Sequence, residues 1–170
     1  YPAVTSDYPA EQRASDDALM HKVWAQALTA LRGAKPPARS QRLRVITQAS
    51  VISDGVSEAG LPASAVAALF DGFSDVQFVQ LPDLHALQAS DVPQDGRFNV
   101  LVSNLRRRYG PAAAAANLDL HLAMWNPFQV LDLPAPALIS WGYGDGALAA
   151  VRAWLRGELA ASATPPVSLK

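Results

Sequence analysis

Residues 134–158 read PAPALISWGYGDGALAAVRAWLRGE, and the reading of this stretch decides the fold. Ala137 to Trp141 is a mostly apolar run with prolines before it and glycines after it, the pattern of a strand covered on both faces of a sheet. Helix signals follow at once. Asp145 is placed to cap a helix start, Leu148, Val151 and Leu155 recur at helical spacing, and Ala147, Ala150 and Trp154 widen the apolar stripe. Gly157 offers a stop, and Arg152 and Arg156 fall toward the negative end of the helix dipole. A strand, a glycine-punctuated turn and an amphipathic helix in direct succession are the unit of an α/β chain.

The same alternation extends upstream. Tyr1 to Arg13 holds two Tyr-Pro pairs and no apolar periodicity, so residues 1–14 are expected to be a linker or arm, with residues 15–170 a single α/β domain. Ser15, followed by Asp16 and Asp17, predicts a helix running to about Leu31, with Met20, Val23, Trp24, Ala27, Leu28 and Leu31 on one face. Strands are predicted at Leu43 to Thr47, Val76 to Leu81, Phe98 to Ser103 and Leu120 to Trp125. Between them lie a polar loop from Gln48 to Gly60, a short helix from Pro62 or Ser64 to Phe70, and a helix around the alanine run between Asn104 and Asn117. Residues 82–96 allow one helical turn at Leu84 and Leu87 before Pro93 and Gly96. Strands alternating with helices imply parallel pairing through right-handed crossovers: a three-layer sandwich, mostly parallel sheet with helices on both faces.

Composition narrows the function. A chain of 170 residues, 50% hydrophobic, suffices for one well-buried core. Its net charge of -1 provides no basic excess for a nucleic-acid partner. The run Arg106, Arg107, Arg108 reads as a solvated face. Without cysteine there are no disulfides, thiolate nucleophiles or thiolate metal sites. No apolar stretch approaches the roughly 20 residues that cross a bilayer, so no membrane partner is expected. Starting at Tyr1 without a methionine or a signal peptide, the chain is expected to be a processed product or a piece of a longer polypeptide. Its compartment is not legible.

Gly142, Gly144 and Ala147 fit G-x-G-x-x-A between a strand and a helix, as in a dinucleotide-binding turn. That unit needs a further strand and an acidic residue about 20 residues on. Here that window is the Thr164-Pro165-Pro166 tail, and Asp145 would set a carboxylate beside the phosphate. The glycines therefore read as turn residues that let strand and helix pack closely. His21, His85 and His121 share no ligand spacing, no G-x-S-x-G elbow exists around Ser140, and no pair stands out among the carboxylates. No cofactor, metal or catalytic residue is expected. The carboxyl ends of the parallel strands, where such sheets present ligand surfaces, are polar: Gln48 and Ser50, Ser103 and Asn104, Asn126, and Gly142 to Asp145. Trp125 and Tyr143 add ring faces. The combination suits a sugar.

The second half of the chain resembles the C-terminal α/β sandwich domain of family 3 glycoside hydrolases, nearest the bacterial β-N-acetylglucosaminidase (β-hexosaminidase) branch. The matching pieces come in the family's order: the turn Trp125-Asn126-Pro127-Phe128, the spacer Leu133-Pro134-Ala135-Pro136, the strand LISWGY from Leu138 to Tyr143, LRGE from Leu155 to Glu158, and the terminus Pro166 to Leu169. The helix holding Gln26-Ala27-Leu28-Thr29 is similar to the first helix of that domain, whereas residues 60–96 match only in their order of elements. The resemblance implies a non-catalytic domain of a retaining glycosidase, packed on an N-terminal catalytic barrel of the same polypeptide that carries the nucleophilic Asp. In the β-glucosidase-like branches this domain supplies the acid/base carboxylate; here Asn104 follows the strand Phe98 to Ser103, so no catalytic acid carries over and the isolated chain is expected to be inactive. Its substrate-binding candidates, facing a carbohydrate, are Asn104, Asn126, Tyr143 and Asp145. The alternative is a stand-alone domain binding a sugar, a cell-wall fragment or a protein without enzymatic activity.

Overall fold

The computed structural model describes residues 9–50 and 60–169. Six strands, β1 (Thr29–Leu31), β2 (Leu43–Gln48), β3 (Val76–Leu81), β4 (Phe98–Ser103), β5 (Leu120–Ala123) and β6 (Ala137–Ile139), form one sheet in the order β1-β6-β5-β4-β2-β3. Every pair is parallel except β1 with β6, where Thr29 lies opposite Ile139. The central strands are buried almost throughout because both their faces are covered, so their apolar runs also carry buried Arg44, Thr47, Asn99, Ser103 and His121.

On one face, α2 (Ala63–Ala68) and α3 (Asp145–Leu155) set Val66, Val151, Trp154 and Leu155 against Val45, Val100, Val102, Leu120 and Leu122. α1 (Ala10–Ala27) lies against α3. The other face is covered by short 3-10 helices, Leu84–Ala86, Ala89–Asp91 and Pro111–Ala115, which help close a second core of Ile46, Leu84, Leu87, Leu101, Tyr109, Ala113 and Leu133. The α/β sandwich with a mostly parallel sheet and helices on both faces is the architecture the alternation predicts. α3 ends as its sequence requires: Gly157 takes φ +73°, its N–H reaches Trp154 O at 2.8 Å, and the Glu158 N–H reaches Ala153 O at 2.9 Å.

The structure corrects several boundaries. The first helix begins at Ala10, within the segment read as an arm, and Ser15 lies inside it rather than at its cap. It stops at Ala27; Leu28 turns extended and residues 29–31 become β1. Leu28 and Leu31 fit a helical stripe, but β6 offers residues 29–31 an edge of hydrogen bonds that a helix could not use, and Leu28 O accepts the Ala163 N–H of the tail. Met20 and Val23, assigned to the buried face, are 49% and 47% exposed. The helix expected between Asn104 and Asn117 shrinks to Pro111–Ala115, because Gly110 is extended ahead of a proline at the first turn. The fourth strand ends at Ala123 and the last at Ile139, short of the tryptophans predicted to close them. The first eight residues of the expected arm and positions 51–59 of the polar loop lie outside the described residues.

Candidate functional site

At the carboxyl edge, the segments that leave β5 and β6 meet through two rings. Trp125 and Tyr143 are half-buried, their centroids 4.9 Å apart at 57°. Asn126 follows Trp125 and shapes the turn: its Oδ1 accepts the Phe128 N–H at 3.0 Å, and its Nδ2 donates to Arg106 O at 2.7 Å. After β6, Trp141 takes φ +62°, a costly conformation for a tryptophan. Its Nε1 donates to Thr29 Oγ1 of β1 at 3.0 Å, fixing the turn that leads to Tyr143. Asp145 is exposed and opens α3, whose N-cap is Gly144; its carboxylate sits in the first turn, where the dipole favours it, and does not cap the helix as expected. The structure thus draws the loops carrying Asn126, Tyr143 and Asp145 to one side of the edge.

Asn104 lies elsewhere. Doubly wound sheets open a ligand crevice where strand order reverses, here between β2 and β4. Asn104 bridges that gap: its Oδ1 accepts the Gln48 N–H at 3.2 Å, and its Nδ2 donates to Gln48 O at 3.1 Å and Leu61 O at 2.8 Å. The side chain is 1% exposed, and its amide is taken up by the backbone of two neighbouring segments.

The glycines after β6 also have a physical reason. A Cβ at Gly142 would stand 2.8 Å from Trp24 Cη2, and one at Gly146 would overlap Trp24 Cδ1. The indole of Trp24, reaching over from α1, fills the space beside both glycines, whereas a Cβ at Gly144 would meet nothing within 4 Å. Gly142 and Gly146 thus make room for α1, a third element, rather than for the packing of strand on helix.

The arginine run is exposed, as a solvated face is expected to be, and Arg108 is in addition firmly paired. Arg108 forks onto both carboxylate oxygens of Asp132, which holds its guanidinium above the ordinary pKa, and Arg107 lies 3.8 Å from Asp83. Beneath the loop, Gln129 is fully buried, accepts the Ser103 hydroxyl and donates to Leu105 O and Arg107 O at 3.0 and 2.6 Å. The histidines are dispersed. His21 is exposed on α1, His85 Nδ1 contacts Arg108 O at 2.7 Å, and His121 is buried with Nε2 3.1 Å from Tyr109 OH. His121 Nδ1 has no partner, and burial, reinforced by nearby Arg32, pushes the ring down to about 3. Burial also raises the Tyr109 phenol.

Sequence reasoning missed Gln129 and Arg44. Arg44, inside β2 and 3% exposed, donates to Asp95 Oδ2 at 2.7 Å, Pro93 O at 2.8 Å, Asn99 Oδ1 at 3.1 Å and Gln77 Oε1 at 3.1 Å. The one available signal was an arginine inside an otherwise apolar strand. Among the described residues no group of three His, Cys, Asp or Glu is placed to hold a metal ion, and no helix is long and apolar enough to cross a membrane.

The fold is that of a domain found within family 3 glycoside hydrolases. The glycoside hydrolase family 3 β-N-acetylglucosaminidase from Paenibacillus sp. str. FPU-7 matches 95% of this chain with 33% of its own, at a TM-score of 0.66 and 20% identity. The β-glucoside phosphorylase BglX matches 91% of this chain with 32% of its own, at a TM-score of 0.61 and 13% identity. A fungal multi-domain β-N-acetylglucosaminidase of the same family matches 89% of this chain with 19% of its own, at a TM-score of 0.57 and 15% identity. In sequence, NADH-quinone oxidoreductase subunit 14 of Thermus thermophilus is 31% identical over 140 residues, which are 82% of this chain and 32% of that protein. The chain therefore spans about a third of the curated relative it matches. No family model matches the chain.

Proposed function

We propose that this chain is a non-catalytic domain of a family 3 glycoside hydrolase of the β-N-acetylglucosaminidase kind, packed on a catalytic barrel of the same polypeptide and bordering its sugar cleft. The observation that carries this reading is the fold likeness over 95% of the chain to one third of such an enzyme. The carboxyl edge is suited to the role. The Trp125–Tyr143 pair offers ring surface for the C–H faces of a pyranose, and the exposed Asp145 is the polar group beside it for hydroxyls or an acetamido group, while Asn126, its amide engaged by Phe128 N–H and Arg106 O, shapes the turn that carries Trp125. Asn104, with its amide engaged by the backbone, acts on the cleft only by holding the β2–β4 edge in shape. Retaining hydrolysis through a covalent glycosyl intermediate is then the work of the barrel, whose Asp is the nucleophile and, in this branch, whose loop His/Asp pair replaces the second carboxylate as acid/base.

The test is an assay on a chromogenic N-acetylglucosaminide, made with this chain alone and with the polypeptide that joins it to a barrel. Turnover is expected only from the latter. In that enzyme Tyr143→Ala and Asp145→Asn are expected to raise KM several-fold with kcat less affected. Substantial turnover by the chain alone would overturn the accessory role, and an unchanged KM in both variants would confine the loop to packing.

A further inference from the structure

The two edges of the sheet are unlike. At one, β1 is three residues long and is partly covered by the C-terminal tail: Thr29 bridges Ser162, and the Ala163 N–H reaches Leu28 O at 3.1 Å. At the other, β3 runs for six residues, VQFVQL, and pairs among the described residues with β2 alone. Its register from Leu43–Val76 to Gln48–Leu81 has no bulge, and the strand holds no charge and no proline. Those are the devices by which sheets blunt an open edge.

Strand alternation identifies the unused backbone groups. The carbonyls of Asp75 and Leu81 accept the N–H groups of Leu43 and Ala49, so the odd-numbered positions turn toward β2. The N–H and C=O groups of Val76, Phe78 and Gln80 therefore face outward. Phe78 is 43% exposed beside a hollow of about 520 Å³ that is also lined by Phe70 and Phe73. Phe70 stands 6.2 Å from Phe73 and 6.4 Å from Phe78.

We propose that β3 pairs antiparallel with β3 of a second copy of this chain, about a two-fold axis at Phe78, joining two sheets into one. A two-fold axis normal to the sheet keeps α2 on the same side in both copies and requires outward-facing residues to meet. The register that uses all three sets Val76 opposite Gln80 and Phe78 opposite itself, with on the order of six new backbone hydrogen bonds. No like charges meet along the strand. Beyond its ends the same register sets Asp83 of each copy, half-buried and 3.8 Å from Arg107 of its own chain, opposite Phe73 of the other, where the Arg39 guanidinium lies 5.4 Å from the ring centroid. The rings around each hollow then meet across the axis and cover Phe78. Any extended peptide would find the same backbone groups, but a second copy also brings the matching ring and the opposite charge.

Because the chain contains no cysteine, a thiol placed at Phe78 is unique. Hydrogen-bonded antiparallel neighbours have Cα atoms about 5.5 Å apart, within disulfide reach. Sedimentation velocity of the whole chain between about 5 and about 500 µM is expected to show a monomer–dimer equilibrium. Phe78→Lys, which sets like charges on the axis, is expected to weaken Kd at least about tenfold, while Phe78→Leu retains the dimer. Under mild oxidation Phe78→Cys is expected to form a disulfide dimer much faster than Leu19→Cys on the exposed face of α1. A chain that stays monomeric throughout, a dimer that persists unchanged in the folded Phe78→Lys variant, or a Phe78 thiol that links no faster than one at Leu19 would overturn the assignment.

Discussion

His121 carries the most unusual single-residue environment. Its ring is fully buried, Tyr109 OH meets Nε2, and Nδ1 is left without a partner. Burial first, and the Arg32 charge second, hold it at about 3, against a smaller opposing pull from Asp132. The sign follows from linkage. The unfolded chain binds a proton here below about pH 6.5 and the folded chain does not, so the stability of the neutral ring is complete above that value. It is lost toward the folded pKa as pH falls, by up to about 1.4 kcal/mol per pH unit. Urea midpoints measured between pH 6.5 and 4.5 are therefore expected to fall with pH in the natural chain and to flatten in His121→Leu. An undiminished slope in that variant would assign the acid sensitivity to another group. Asp75 and Asp95 act later, because Arg97 and Arg44 respectively hold their carboxyls below the ordinary value. Their contributions are present above the unfolded carboxyl pKa and are lost only as pH falls through the lowered ones.

Among the elements, the contact between α1 and the β6–α3 turn is where sequence and packing meet most tightly. Gly146→Ala would ordinarily favour a helix by about 1 kcal/mol, yet here the new methyl enters the Trp24 ring. The variant is expected to lose about 1–3 kcal/mol in urea unfolding, and to cost nothing in a Trp24→Ala background. Equal costs in both backgrounds would remove the indole as the cause. Strands β2, β3 and β4 and helix α3 are legible in the sequence because each has one clear apolar period and a turn signal at its end. β1 is not, because Leu28 and Leu31 satisfy helical spacing as well as they satisfy a strand, and only the open edge of β6 decides between the two. The candidate site is legible to the same degree. Strand ends expose Asn126, Tyr143 and Asp145 as polar or aromatic positions, but the tilted contact of Trp125 with Tyr143 depends on how β5 and β6 pair, which no local pattern encodes.

Across the whole molecule, two buried polar clamps hold the strand pair at which the sheet reverses direction. Arg44 ties the amino end of β2 to Gln77 of β3, Asn99 of β4 and the loop carrying Pro93 and Asp95. Asn104 ties the carboxyl end of β2 to the segment entering α2. Neither set of partners is legible beforehand: an arginine inside a strand signals only that something must pair with it, and an asparagine after a strand reads as solvent-facing. Removing Arg44 leaves the buried Asn99 amide short of a partner while the exposed Asp95 and Gln77 turn to water, and removing Asn104 leaves backbone groups of Gln48 and Leu61 unpaired, so Arg44→Met and Asn104→Ala are each expected to cost about 1–3 kcal/mol. Positions 44 and 48 are separated by about 13 Å of strand, and the two clamps share no partner. Their costs should therefore add to within about 0.5 kcal/mol in the double variant, provided that the sheet unfolds as one unit. A double variant that loses markedly less than the sum, or a second transition in its urea curve, would mean that the two ends of the sheet unfold separately.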